Sequence, residues 1–152
     1  MTDDKARATI IELSERVPFH ANLGIQIVQA EQGRGRALLP AVRHVLNHAD
    51  TVHAGALFTA ADVAAGAAVL PAVWSRLAEV EFTVRAAQVR YVAPARGAIS
   101  AFAHFDEPQR VLNDLDSRGR AEVPVEVSLT DEARRQVASL VLHWHVRNRR
   151  TG

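Results

Sequence analysis

The stretch that decides the fold is Ala54 to Leu70, which reads AGALFTAADVAAGAAVL and is apolar at nearly every position. Its length is at the lower limit for crossing a bilayer, and Thr59 and Asp62 interrupt it, so we expect no membrane span. A soluble helix that is apolar all round must be enclosed by the rest of its domain. The segment therefore predicts a long central helix with other elements wrapped around it.

Strand patterns on both sides of this segment predict the sheet that encloses it. Residues of one strand alternate between two faces, so apolar residues at every second position indicate a strand with one buried face. A short helix is expected first, over residues 5–17, and a short surface helix or a loop over Glu107 to Arg118. Strands are expected at Leu23–Ala30, Arg36–Leu39, Phe82–Ala93, Ala98–Phe105, Val123–Leu129 and Gln136–Arg147, with Pro124 favouring an edge strand or the start of a strand. The sum is an α+β fold with an antiparallel sheet around the central helix.

Length and composition narrow the classes of protein to which the chain can belong. With 152 residues, 48% hydrophobic and 23% charged, it is expected to form one globular domain over 1–152. A formal net charge of +1 argues against nucleic acid as a partner. The absence of cysteine excludes disulfides, thiolate catalysis and cysteine-ligated zinc. The acidic N-terminus does not resemble a secretory signal, so we expect a cytoplasmic protein.

Asp62 is the residue that does not fit its surroundings. It stands between Ala60, Ala61 and Val63, Ala64 in the most apolar segment of the chain. Burying a carboxylate without a partner costs several kcal/mol and raises its pKa, and the same helix carries no basic residue. Asp62 therefore either reaches solvent or a buried polar network, or it serves catalysis, since perturbed acids concentrate at reactive sites.

Gly55 marks a second feature, at the start of the same helix. The first N–H groups of a helix lack intrahelical partners and bind anions and oxyanions, although a glycine there also serves packing. Gly55 and Asp62 face nearly the same side of the helix but are about 10.5 Å apart along its axis, so one carbonyl cannot touch both. If both serve one substrate, a second subunit must supply one of them, which favours a site at a two-fold dimer interface.

The segment from Asn47 to Asp62, NHADTVHAGALFTAAD, resembles the hotdog-fold acyl-CoA thioesterases, particularly the phenylacetate-pathway type and its uncharacterised relatives. The resemblance extends to Val89–Gly97, VRYVAPARG, and covers roughly residues 18 to 147. In that family a sheet wraps a long helix, and active sites lie between paired subunits. The resemblance implies a homodimer at least, with pairing of dimers into tetramers left open.

The resemblance also implies roles for individual residues. Asn47 would orient the substrate or water, the backbone N–H of Gly55 would form part of the oxyanion hole, and Asp62 would be the catalytic carboxylate. Asp62 would either deprotonate a water molecule or attack the thioester itself, and the sequence does not choose. The family motif has Gly-Gly after its histidine, whereas this chain has Ala54-Gly55.

Several other residues have two interpretations each. His53 serves either the oxyanion region or the cap of the helix. Arg90 and Arg96 either bind the phosphates of CoA or are solvated. His143 and His145 share one strand face, but without a third ligand we expect no metal site there. No cofactor is expected, since CoA is part of the substrate.

Two competing functions remain open at this stage. A hotdog dehydratase or hydratase would need a catalytic histidine opposite an acid, a role left to His48 or His53. A non-catalytic domain that binds acyl-CoA would show tight binding without turnover. We expect hydrolysis of an acyl- or aroyl-CoA thioester.

Overall fold

Four α-helices, six strands and two 3-10 helices (Arg43–Val45 and Trp74–Glu79) lie within residues 3–150, the part of the chain that this computed structural model describes. The helices are α1 (Asp3–Glu15), α2 (Pro18–Leu23), α3 (Ala54–Ala72) and α4 (Pro108–Arg118). The strands are β1 (Gln26–Glu31), β2 (Arg34–Leu39), β3 (Val80–Tyr91), β4 (Ile99–His104), β5 (Arg120–Thr130) and β6 (Gln136–Asn148). Each predicted helix and strand is present, with bounds shifted by a few residues.

The six strands form one antiparallel sheet in the order β1-β2-β4-β5-β6-β3, which wraps around α3. This is the expected α+β hotdog fold. Alanines at the sheet-facing positions of α3 are completely buried, among them Ala60, Ala64 and Ala68. Their small side chains let the sheet come close to the helix, and Gly35 on β2 lies directly against the backbone of Ala64.

The core helix meets the length and hydropathy expected of a membrane span, yet it packs inside the domain. Within an 18-residue stretch of Ala54–Ala72, 67% of the residues are buried inside the domain. Its all-round apolar character thus matches enclosure by the sheet and by α1 and α4.

Pro124 departs from both predicted positions, because β5 is an interior strand and Pro124 is its fifth residue, not its first. The pairing with β4 ends at His104 and Glu126, so the first residues of β5, Pro124 included, extend past the end of β4. A proline lacks the N–H that a ladder needs, and here only β6 runs alongside it. Pro124 therefore has a neighbouring strand on one side only, as on an edge strand, although β5 as a whole is an interior strand.

Strand β3 has an exposed outer edge and an uncovered inner face. It pairs with β6 on one side, and within residues 3–150 nothing pairs with its other side. Its register with β6 places Phe82, Val89 and Tyr91 on the inner face with the buried residues of β6, yet these three side chains are 42%, 37% and 49% exposed. Twelve residues of strand are therefore left open on one edge.

Candidate active site

Asp62 lies in the middle of α3 and is half-buried. Burial raises the pKa of its carboxyl above the ordinary 3.8, and the charge of His20 partly opposes that rise. A charge from outside the helix, that of His20 on α2, thus favours the ionised form of Asp62. Sequence reasoning missed this histidine, since it lies far from Asp62 along the chain.

A short and well-delimited helix places His20 beside α3. Pro18 begins α2 at a position where its missing N–H costs nothing, and Gly24 ends it in the left-handed conformation with φ 70°. The Oγ of Ser14 on α1 lies 3.2 Å from Nδ1 of His20 and fixes the ring. Pro18 and Gly24 are the residues from which this short helix could have been predicted, since proline favours the start of a helix and glycine its end.

The start of α3 is capped by His53. Its Nδ1 accepts a hydrogen bond of 2.9 Å from the N–H of Gly55, and its carbonyl accepts from Ala56 and Leu57. The N–H of Gly55, which the resemblance assigns to the oxyanion hole, therefore donates its hydrogen bond to His53 in this structure. Of the two readings of His53, the structure shows the capping one.

The loop before α3 is organised by Asn47. Its Oδ1 accepts hydrogen bonds from the N–H groups of Ala49 and Thr51, at 2.9 and 3.2 Å, and its Nδ2 donates to Oγ1 of Thr51 at 2.8 Å. This pattern is that of an Asx turn, in which a side-chain amide replaces backbone turn bonds. The second hydrogen of the Asn47 amide has no acceptor among residues 3–150, so the contacts of Asn47 lie within the loop that it builds.

The C-terminal end of β3 meets the start of α3. The hydroxyl of Tyr91 donates to the carbonyl of Ala54 at 3.3 Å, a contact that sequence reasoning did not single out. Arg96 lies on the same side and donates to the carbonyl of Asp50 at 3.5 Å. Arg90 pairs in register with Ser139 on the outer face of the sheet, away from the helix, so it is not brought together with Asp62.

The remaining histidines lie apart from Asp62. His48 is exposed in the loop. His145 is on the outer sheet face with Nδ1 2.6 Å from a carboxylate oxygen of Glu122, and His143 is two residues away. No group of three histidine, aspartate or glutamate side chains suited to a metal ion occurs among residues 3–150. The outer face is therefore a polar sheet surface.

Three concavities on the surface of one chain lie along α4 and over the outer face of the sheet, and Arg90 lines one of them. Asp62, Gly55 and Asn47 do not line these three concavities.

The model of one protein family, DUF4442, described as a domain of unknown function, matches residues 6–146. The chain belongs to this family. None of the curated proteins matches its sequence. Solved structures do match the DUF4442 domain, over nearly its whole length.

Three of these structures illustrate the similarity. PA5026 of Pseudomonas aeruginosa, named a protein of unknown function and probable thioesterase, is 29% identical with a TM-score of 0.82, over 93% of this chain and 95% of its own. OLEI01261 of Chlorobaculum tepidum, of unknown function, is 17% identical with a TM-score of 0.86, over 97% and 98%. The PaaI protein of the Escherichia coli phenylacetic acid degradation operon is 17% identical with a TM-score of 0.68, over 94% and 97%. The resemblance to hotdog-fold thioesterases is thereby confirmed.

Proposed function

We propose that this DUF4442 domain hydrolyses an acyl- or aroyl-CoA thioester to the free acid and CoA, with Asp62 as the catalytic carboxylate. The observation that carries the proposal is Asp62, a half-buried acid with a raised pKa in a largely apolar core helix. The naming of PA5026 as a probable thioesterase supports the same chemistry. No cofactor enters the proposal, and we place the protein in the cytoplasm.

The raised pKa suits Asp62 to accept a proton. As general base it would take a proton from water while the water oxygen attacks the thioester carbonyl, and the tetrahedral intermediate would expel the CoA thiolate. As nucleophile it would form a mixed anhydride that water then cleaves. Either route gives one carboxylic acid and one thiol for each water consumed.

The developing oxyanion would be stabilised at the start of α3. The N–H of Gly55 points out of the helix end, with the helix dipole behind it, and such a donor contributes a few kcal/mol in comparable sites. Because His53 Nδ1 holds this N–H in the structure, substrate binding would have to displace the ring. The neighbouring N–H of Ala54 has no acceptor among the described residues and would become a second donor. Asn47, through its remaining amide hydrogen, would orient the substrate or the water.

A homodimer would complete the site. We propose that two copies pair along the free edge of β3, which joins their sheets and covers the inner apolar side chains of that strand. This edge ends beside the start of α3, where Tyr91 contacts Ala54. The Gly55 of one chain would then act with the Asp62 of the other, as the distance along the helix requires. The proposal does not depend on a further pairing of dimers.

CoA would be recognised at its phosphates by arginine. Arg96, beside the loop that precedes α3, is the better placed of the two arginines, since Arg90 projects from the opposite face of the sheet. Arg90 would reach a phosphate only where CoA passes over the edge of β3.

The test is an acyl-CoA panel with detection of the free thiol, on the wild type and on Asp62→Asn. The amide has the shape of the acid but cannot act as base or nucleophile, so turnover should fall at least about a hundredfold. Asp106→Asn, the same exchange at an exposed position, is the matched control and should keep full activity. Unchanged turnover in Asp62→Asn would remove Asp62 from the mechanism.

A hydratase or dehydratase is the second candidate, because such chemistry needs a histidine opposite an acid and His20 is the histidine whose charge acts on Asp62. Neither His48 nor His53, the two histidines considered from the sequence, provides that pair. Incubation with an enoyl-CoA and detection of water addition separates this reaction from hydrolysis. Tight binding of CoA with no turnover of either substrate would instead indicate a binding domain.

A further inference from the structure

A concavity of about 420 Å³ lies on the outer face of the sheet, where β5 begins and β6 ends. The residues of these strands that line it alternate with the buried residues that face α3, so it opens on the side opposite to the core helix. Five arginines line it against one glutamate: Arg85, Arg118, Arg120, Arg147, Arg150 and Glu122. This balance of charge favours an anionic ligand.

Two of the five arginines have a carboxylate partner. Arg147 donates to Glu81 on β3 through Nε and through one terminal nitrogen, at 3.0 and 2.7 Å. A guanidinium nitrogen of Arg85 lies 3.7 Å from a carboxylate oxygen of Glu122, and the same oxygen is 2.6 Å from Nδ1 of His145. Both of these acidic residues are therefore already engaged.

The other three arginines, Arg118, Arg120 and Arg150, form no salt bridge within residues 3–150. Arg120 stands directly opposite Arg147 in the register of β5 with β6. Like charges in such a position destabilise a sheet, and the ion pair with Glu81 neutralises only the charge of Arg147. A bound anion would supply the missing negative charge.

The backbone holds the three segments that carry these arginines side by side. Gly119 ends α4 in the left-handed conformation, with φ 71°, so the chain turns directly from Arg118 into β5. The N–H of Asn148 donates to the carbonyl of Gly119 at 2.9 Å and ties this turn to the end of β6. The N–H of Arg149 donates into the backbone just before β3 at 2.8 Å, which holds the chain next to Arg150. Because these segments are already in place, less ordering is needed when a ligand binds.

We propose that this concavity is a binding site for a small anion that carries two or more phosphate groups. Arginine binds phosphate oxygens through paired N–H donors, and three arginines without a carboxylate partner can hold more than one phosphate group. The diphosphate of a nucleotide and the phosphates of CoA share this chemistry. The formal net charge of +1 for the whole chain argues against a nucleic acid as the ligand. The site does not depend on the proposed hydrolysis.

The first test is isothermal titration calorimetry with inorganic pyrophosphate at low ionic strength, which needs no substrate. Pyrophosphate should bind the wild type, and the double variant Arg118→Gln, Arg120→Gln should bind it at least about tenfold more weakly. Arg7→Gln, the same exchange at an exposed arginine of α1, is the matched control and should bind like the wild type.

Further titrations of the wild type identify the source of the phosphate groups. Binding of ADP without binding of CoA would assign the site to a nucleotide, and binding of CoA would assign it to the CoA part of a thioester. Equal affinities of the wild type and the double variant for pyrophosphate would overturn the inference. Equal affinities of the wild type for sulfate and pyrophosphate, or tighter binding of a DNA duplex, would overturn it as well.

The second test uses the like charges of Arg120 and Arg147. In a phosphate-free buffer of low salt, Arg120→Gln removes the repulsion, so its Tm should equal or exceed that of the wild type. With pyrophosphate present, binding stabilises the wild type more than the variant, so the wild type should then have the higher Tm. The difference in Tm between the two proteins would be the same with and without pyrophosphate if Arg120 did not bind it, and that result would refute the inference. If Arg120→Gln does not fold, Arg118→Gln takes its place in the titration, with weaker binding of pyrophosphate as the expected result.

Discussion

Replacing Gly35 by alanine tests whether the close approach of β2 to the core helix holds Asp62 in place. A Cβ at Gly35 would lie 2.0 Å from the carbonyl oxygen of Ala64 and 2.8 Å from the backbone nitrogen of Ala68. The first distance is about 1.4 Å short of the 3.4 Å at which ordinary contact begins. Both atoms belong to the backbone of α3, so no side chain can rotate away, and the helix and the strand must move apart.

The loss of stability follows from forcing the strand and the helix apart. Overpacking a core costs typically about 1–3 kcal/mol, and a clash with helix backbone belongs at or above the upper end. We therefore expect Gly35→Ala to lose about 3 kcal/mol or more of its free energy of unfolding, roughly 6–12 °C in Tm for a chain of this size. Because Ala64 follows Asp62 by two residues, activity should fall in the fraction that stays folded.

Gly66→Ala, on the helix that Gly35 contacts, is the matched control. Its new Cβ would meet the ring of Trp144 at 3.5 and 3.7 Å, which is ordinary contact. Alanine is favoured over glycine in a helix by about 1 kcal/mol, so this variant should be as stable as the wild type or more stable. Urea denaturation followed by far-UV circular dichroism measures both. Equal stabilities for the two variants would show that the contact between β2 and α3 is not as tight as these distances require.

Two further predictions concern the charge of Asp62 and the edge of β3. Burial raises the pKa of Asp62 in the folded chain above 3.8. Between 3.8 and that raised pKa, the folded chain still holds a proton that the unfolded chain has lost. The free energy of unfolding therefore falls as the pH rises through this range. Asp62→Asn cannot ionise and should therefore be more stable than the wild type at pH 8, by about 0.5–2 kcal/mol, with a smaller difference at pH 4. Calorimetry that shows the larger difference at pH 4 would contradict this pH dependence. Val89→Lys places a charge on the inner apolar face of β3 and should convert a dimer of the wild type into a monomer in analytical ultracentrifugation, whereas Gln88→Lys on the outer face of the same strand should not. A wild type that sediments as one chain at micromolar concentration would refute pairing through β3.

The sequence predicts the fold well because the fold rests on local patterns. The apolar run of α3 and the alternation in β6 are each visible in a dozen or so residues, and the buried Leu140, Leu142 and Trp144 lie on the face predicted for them. The order of the strands is not local, so the placement of β3 at the edge, beside β6 and away from β4, could not be derived from the pattern.

The candidate site was predictable only in part, for the same reason. Asp62 stands out because an acid in an apolar helix is anomalous wherever it occurs. His20 does not stand out, since a histidine in a polar segment is ordinary until the fold brings it to α3. The hydrogen bond from Gly55 to His53 depends on one side-chain rotamer, which no spacing rule specifies.

The uncovered face of β3 and the incomplete site have one common cause in the packing of α3. The helix lies mainly against β1, β2, β4 and β5, so it leaves the inner face of β3 without a cover. An apolar strand face exposed beside a free edge is unfavourable in water, and the proposed second copy of the chain would cover both at once. That copy would bring its own α3 to the open side, where the start of one helix can meet the middle of the other. The geometry that hides the apolar strip would thus also bring a Gly55 to an Asp62, and a variant that stays monomeric should lose hydrolysis even though every residue of its own site is intact.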